Sequence, residues 1–256
     1  MAGAWTNPDD YDHVPRPVVG ISNEYPPSFE LDWHSHGRGQ LIYAATGVIV
    51  LSTPHGAWIA PPERAIWTPA GMPHSVRMVG AVSTRSLLLD EATAVALGDA
   101  TVVISVSPLV RHLLIAASSI PAEYEVDGRD GLVMSLLAAE LGNAPRVALS
   151  VPFPTSPKLA ARCHAFLEAP DIHATIDRWC VDLGMDRRAF TRAFRRETGM
   201  SFGEWRQQAC LLEALPRLAD GESVTAIALD LGYDSPAAFS TMFRRLLGVP
   251  PSRYAG

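Results

Sequence analysis

Three cysteines in 256 residues, Cys163, Cys180 and Cys210, are too few and too widely spaced to form a disulfide framework or a zinc knuckle. All three fall in the second half, where they read as helix-packing residues in a reducing compartment. Long apolar runs are missing too: no stretch approaches the roughly 18 uninterrupted apolar residues of a membrane span. The N-terminal MAGAWTNPDDYDHVPRP lacks the basic start and apolar run of a secretory signal. A cytoplasmic protein with no membrane partner is the expectation. Charge is sparse, at 19% against 48% hydrophobic residues, a balance that excludes a disordered chain and leaves enough apolar surface for a real core.

Net positive charge is also lacking, since the formal charge is −6. Taken alone, that value argues against a nucleic-acid partner. Halving the chain changes the reading: residues 1–155 carry 8 Arg against 15 Asp and Glu, whereas residues 156–256 carry 13 Lys and Arg against 12. Within the second half, residues 187–206 hold six arginines against Glu197 and Glu204. A basic stripe on one element matters more for phosphate contact than the charge of the whole chain.

At this length two domains are expected. From Val18 to about Leu89, short apolar runs such as LIYAATGVIVL and AIWTPAG alternate with Gly and Pro, the pattern of a small sandwich or barrel. Residues 1–98 are therefore assigned to an all-β barrel. Residues 99–144 read as a helical connector, in which SPLVRHLLIAASSI and RDGLVMSLLAAELG are amphipathic, with Ser107 and Asp130 near their starts. Patterning over 107–141 suggests a homodimer contact. The four prolines of GNAPRVALSVPFPTSPK mark a linker at 145–156. Residues 157–256 are helical, broken at Ala169–Asp171 and at Gly184, Gly199, Gly221, Gly232 and Gly248.

That helical half contains an internal repeat. IDRWCVDLGMDRRAFTRAFRRETG and VTAIALDLGYDSPAAFSTMFRRLLG each place a small residue (Cys180, Ala228) four positions before a glycine (Gly184, Gly232), and a capping residue (Asp186, Ser235) soon after it. Such spacing permits the tight turn of a helix-turn-helix, here expected at about 174–199 and 223–248. Each following helix buries a pair of phenylalanines four apart, Phe190 with Phe194 and Phe239 with Phe243. In the first helix Arg187, Arg188, Thr191, Arg192, Arg195 and Arg196 are left facing outward.

The ordered run GMDRRAFTRAFRRETGMSFGEWRQQACLLEAL followed by IALDLGYDSPAAFSTMFRRLLGVPPSRY resembles the DNA-binding domain of AraC-family transcription regulators over about the last hundred residues. The resemblance implies two units joined by one long helix around Phe202–Leu218, entering successive major grooves of an operator. It implies that Arg188, Thr191 and Arg192 read bases in the first unit, and Ala237, Ser240 and Thr241 in the second. Ser235, Ala238 and Arg244 complete the second contact set. Two residues depart from the pattern: Cys210 stands where an Arg is usual, and Pro216 falls near the end of the connecting helix.

In the first half, WHSHGRGQLIYAATG sets His34 and His36 two apart with Gln40 beyond, and WTPAGMPHSV delivers His74. Residues two apart on a strand share a side, so both imidazoles can reach one point inside a barrel. These segments resemble the paired motifs of the cupin fold, a double-stranded β-helix, whose histidines hold a metal. Here Gln40 replaces the usual Glu, Met78 the closing Asn and Glu63 the opening Gly. Two occupants stay open. His34, His36, Gln40 and His74 suit one divalent transition metal, Zn, Ni, Cu or Fe, and an organic effector would instead meet Trp33, Tyr43, Trp58 and Trp67. The expected function is an effector-controlled, DNA-binding transcription regulator without enzymatic activity. The alternative is a metal-dependent cupin enzyme with an appended helical domain.

Overall fold

The computed structural model describes residues 6–254, so residues 1–5 of the expected barrel segment and 255–256 of the helical segment lie outside the described residues. Backbone contacts divide the chain into two compact units, Met1–Thr53 with Trp58–Ala148, and Pro54–Ala57 with Leu149–Gly256.

The first unit is β-rich. Its strands are β1 (Val18–Tyr25), β2 (Glu30–His34), β3 (Gly39–Thr53), β4 (Gly56–Ala60, of which 58–60 belong to this unit), β5 (Arg64–Thr68) and β6 (His74–Leu89). After the short α1 (Glu91–Ala94) comes β7 (Val102–Ser105), and the sheet order is β1-β6-β3-β5-β7, with β2 also beside β6. Long β6 is the organising strand: it pairs antiparallel with β1 from Val18↔Leu89 to Tyr25↔Val82, and with β3 from Gly39↔Leu89 to Ser52↔Ser75.

Strand alternation sorts the side chains onto two faces. On one face Leu41, Tyr43, Trp67, Leu87 and Leu89 join a buried cluster with Val110 and Leu114 of α2 (Pro108–Ala117) and Met134, Leu137 and Leu141 of α3 (Arg129–Gly142). α2 starts where Ser107 accepts a hydrogen bond from the Val110 N–H, and Pro108 fits the first turn because no N–H is needed there. α2 lies close against β1 at Gly20, where a Cβ would sit 2.2 Å from the Ala117 carbonyl oxygen, so only glycine allows this approach. On the opposite face Val19, Ile21 and Leu88 pack on Val14 in a separate small cluster.

The expected helical connector 99–144 begins with strand β7. Its β-branched Val102, Val103 and Ile104 fit the pleated sheet beside β5, a pairing that helical periodicity further along could not announce. The expected linker is also divided between the units. Arg146–Val147 forms β8 against β7, while Ser150–Pro152 forms β9 in the second unit. There Val151 is core, and the Pro152 carbonyl accepts a hydrogen bond from Trp205 Nε1 at 2.8 Å. Proline removes a donor but leaves its carbonyl free to accept.

The second unit contains α4 (Pro157–Glu168), α5 (Ile176–Leu183), α6 (Arg187–Thr198), α7 (Phe202–Ala219), α8 (Val224–Asp230) and α9 (Pro236–Leu247). Trp179, fully buried, sits among Phe166, Phe190, Phe194, Phe202 and Trp205, with ring centroids 4.7 to 6.2 Å away. The Arg162 guanidinium lies 4.5 Å from its ring centre. Pro216 lies inside α7, which continues to Ala219, and Cys210 is fully buried in the same helix. Burial pushes the Cys163 and Cys210 thiols up to about 12, so neither is a reactive thiolate.

Candidate functional site

The helical unit presents two copies of one geometry. In the first, Gly184 takes the left-handed conformation (φ 65°) and the Met185 N–H donates to the Cys180 carbonyl. In the second, Gly232 (φ 80°) is followed by Tyr233, whose N–H donates to the Ala228 carbonyl. A β-carbon would strain either turn. The second turn is one residue longer before the next helix begins. Asp186 accepts from the Arg188 and Ala189 N–H groups at 2.9 Å, and Ser235 from the Ala238 N–H at 3.2 Å. Ser235 thus has a capping role of its own, beside the contact role read from its sequence position.

All six outward residues of α6 singled out above are exposed. Arg187 forms an ion pair with Asp177 at 2.7 Å and Arg196 with Glu197 at 2.9 Å. Arg188 and Arg192 hold no ion pair among the described residues, which leaves their guanidinium groups available to a partner. On α9, Ala237, Ala238, Thr241 and Arg244 are exposed and Ser240 is partly so. Ala237, Ser240, Thr241 and Arg244, with Arg245, line a shallow surface concavity of about 490 Å³. The Thr191 and Thr241 hydroxyls donate to the carbonyls four residues back, Arg187 and Ala237, leaving their methyl groups outward.

One feature of α6 was not legible in the sequence. Glu197 accepts from the Ser156 N–H and the Ser156 hydroxyl, both at 2.9 Å, fastening the segment before α4 to this helix. Burial alone would raise the Glu197 carboxyl, but these bonds and the Arg196 guanidinium outweigh it and hold the group below its usual range. The contribution is present above the unfolded carboxylate value, near pH 4.5, and is lost as pH falls through the lower folded value. Thermal denaturation should show Glu197→Gln less stable than wild type at pH 7, with the gap closing in acid. A constant gap down to pH 3 contradicts this assignment.

In the barrel, His34 and His74 are direct cross-strand partners of β2 and β6. His36 is not on a strand: β2 ends at His34, residues 35 and 36 have no regular structure, and a bend follows at 37–38. Strand alternation is thus not what brings His34 and His36 together. His36 sits instead in the irregular segment after β2, held where the Gly71 N–H donates to the His36 carbonyl at 2.9 Å. One ring nitrogen from each of the three histidines lies within 4.8 Å of those of the other two.

Their second nitrogens are all spoken for. Nδ1 of His34 lies 2.7 Å from the Asp32 carbonyl, that of His36 2.6 Å from Arg38, and that of His74 2.8 Å from Met72. A neutral imidazole that donates from Nδ1 keeps a lone pair on Nε2, the arrangement that orients metal-ligating histidines. His74 Nε2 is buried with no partner, and burial lowers the His74 pKa to about 4, so this ring is neutral near pH 7. His36 Nε2 and Gln40 Oε1 stand 3.0 Å apart. With Nδ1 as the donor, both atoms are acceptors, a contact favourable only when the amide turns its NH₂ to the ring or a cation lies between.

The adjoining cavity is small, about 20 Å³, and is lined by His34, Gln40, Asn23, Tyr25, Leu31, Ile42, Val76, Met78, Thr84, Ser86 and Pro8. The aromatic residues expected to meet an effector are elsewhere. Tyr43 and Trp67 are buried in the cluster under α2 and α3, with Trp67 Nε1 donating to the Gly98 carbonyl at 2.9 Å. Trp58 is buried in β4 away from this lining, and Trp33 is 58% exposed. The reason is parity: Gln40 and Ile42 face the interior, so Leu41 and Tyr43 cannot. Glu63, where the cupin pattern has Gly, adopts φ 67°, a left-handed conformation that disfavours a side chain by about 1–2 kcal/mol.

A β-rich unit with a polar, histidine-bearing interior and, in the same chain, a unit of paired helix-turn-helix motifs define a DNA-binding transcription regulator with a ligand-binding domain. A family model described as an AraC-like ligand binding domain matches residues 17–111, and one described as a helix-turn-helix domain matches 179–256. The HTH-type transcriptional regulator NimR of Escherichia coli (strain K12) is 33% identical over 221 residues, covering 86% of this chain and 81% of the relative. The chain belongs to the AraC family of HTH-type transcriptional regulators.

Among solved structures, ToxT from Vibrio cholerae is 11% identical, with 94% of this chain and 98% of that chain covered at a TM-score of 0.40. The DNA-binding domain of AdpA, in complex with a target DNA, is 32% identical, with 39% of this chain and 91% of that chain covered at a TM-score of 0.36. The cupin-enzyme alternative is set aside, because the matched relatives are regulators of transcription. Among the described residues no helix is long and apolar enough to cross a membrane.

Proposed function

We propose that this regulator is controlled by an effector in the barrel and that His34, His36 and His74, with Gln40, hold one divalent transition metal there. The observation that carries the reading is the set of three imidazoles whose Nδ1 atoms all meet backbone carbonyls, with the His74 Nε2 buried and unpartnered among them. Neutral imidazole ligands suit Zn, Ni, Cu or Fe. When bound, the metal supplies a Lewis-acidic foothold for an effector. The small interior favours this over a metal-free organic ligand, since pockets for such ligands run to roughly 300–1,000 Å³.

Full-length protein purified without an affinity tag is expected to carry about one transition metal per chain by mass spectrometry. His74→Ala should reduce that to a small fraction. Protein that stays metal-free after exposure to each of the four ions contradicts the reading.

On the DNA side, Arg188, Thr191 and Arg192 are proposed to read bases from α6, and Ala237, Ser240 and Thr241 from α9. Arg187, Arg195, Arg196 and Arg244 are proposed to meet phosphates, and Ser235 and Ala238 to complete the contact set. A homodimer is proposed through the exposed apolar residues of α2 and α3, with Leu132 67% and Leu136 46% exposed one turn apart. Sedimentation should give a dimer that Leu132→Glu converts to monomer; a wild-type monomer at micromolar concentration contradicts this contact.

A further inference from the structure

The proposed metal cage is neutral throughout. Its ligands are three imidazoles and an amide, and among the described residues no Asp, Glu or Cys joins the histidine cluster. No carboxylate lines the adjoining cavity either. The charged side chain next along the chain is cationic: Arg38 is 8% exposed and donates to the carbonyls of Val14, Arg16 and Leu88, with no carboxylate partner among the described residues. A divalent cation in this place has no carboxylate ligand: the Asp12 carboxylate that accepts from the Gly37 N–H is solvent-exposed and offsets the charge only weakly, and an uncompensated buried charge is costly.

We propose that the missing negative charge is supplied by the effector, so that Gln40 makes the barrel a receptor for a small anion. The inference rests on the metal reading above and adds the chemical class of the ligand. A few heavy atoms with an oxygen or nitrogen donor fit the class, such as a small carboxylate. The space beside the histidines admits little more than a water-sized group in the present conformation. Ser86 lines the same cavity and brings a hydroxyl that can donate to such an anion. The Asn23 amide is occupied by the Thr6 backbone in both directions. A carboxylate at position 40 would fill the role from inside the protein and leave the anion little to gain.

The test uses full-length protein loaded with Co(II), whose visible bands report its ligands, and azide as the anion, titrated at constant ionic strength. Wild-type protein should show a saturable azide-dependent band shift. In Gln40→Glu, Co(II) should bind more tightly, and azide should bind at least about tenfold more weakly because a unit charge has been added within a few ångström. These opposite signs separate a charge effect from structural damage, which would weaken both. Tight Co(II) binding with no saturable azide effect in wild type, or equal azide affinity in the two proteins, overturns the inference and leaves the metal reading standing. Failure of wild-type protein to bind Co(II) overturns both.

Discussion

Replacing Trp179 by alanine is expected to destabilise the helical unit by about 3–5 kcal/mol and sharply weaken DNA binding. The indole is fully buried and touches aromatic rings from α4, α6 and α7 at once. Removing it leaves a cavity that rigid aromatic neighbours refill only partly. Truncations of this kind cost about 3–5 kcal/mol, a large fraction of the 5–15 kcal/mol that typically holds a domain together. The damage should reach α6 directly, because Phe190 and Phe194 position its exposed arginines by packing on Trp179. Calorimetry with and without the substitution, read together with DNA affinity, checks this. A variant that keeps wild-type stability and binding would show that the hub is not structural in the way the packing implies.

Arg192→Ala should weaken binding to the selected operator by 1–3 kcal/mol, about 5- to 150-fold, and relax the base preference at one position. Arg192 is exposed and has no ion pair among the described residues, so no internal bond has to be broken before it meets a guanine edge. Thr241, its counterpart on α9, offers mainly a methyl group, because its hydroxyl donates to Ala237 at 2.9 Å. Thr241→Ala should therefore cost much less. Competition binding with operator variants measures both, and a larger specificity loss from Thr241→Ala contradicts this ordering of the two units.

The helical unit was legible in the sequence because its signals are local. Gly184 and Gly232 end helices, Asp186 and Ser235 begin them, and paired phenylalanines repeat at helical spacing, all within windows of about 25 residues. Even the departure at Pro216 could be read as a question, and α7 answers it by carrying the proline in its last turn. The barrel was legible only in outline. His34, His36, Gln40 and His74 announced themselves by spacing, but His36 lies in an irregular segment after β2 rather than on the strand, so strand alternation does not place it.

The cavity walls were hidden for a different reason. Asn23 meets Thr84 only through the pairing of β1 with β6, some sixty residues apart. Because α2 and α3 cover the outside of the sheet, that face is apolar while the interior mixes polar and apolar side chains, and hydrophobicity alone does not say which face is the interior. That ambiguity assigned Tyr43 and Trp67 to an effector, although they pack beneath the helices. β7 and β8 were missed because two- and four-residue strands carry almost no periodic signal.

The most direct test is the salt dependence of binding to a duplex selected by the protein from random DNA, measured for wild type and for Arg188→Ala/Arg192→Ala. Paired recognition helices predict a sequence-selective complex whose log affinity falls linearly with log salt, and a double variant with both selectivity and affinity reduced. Salt-independent association, or selectivity left intact in the double variant, would contradict the assignment of α6 as a base-reading helix.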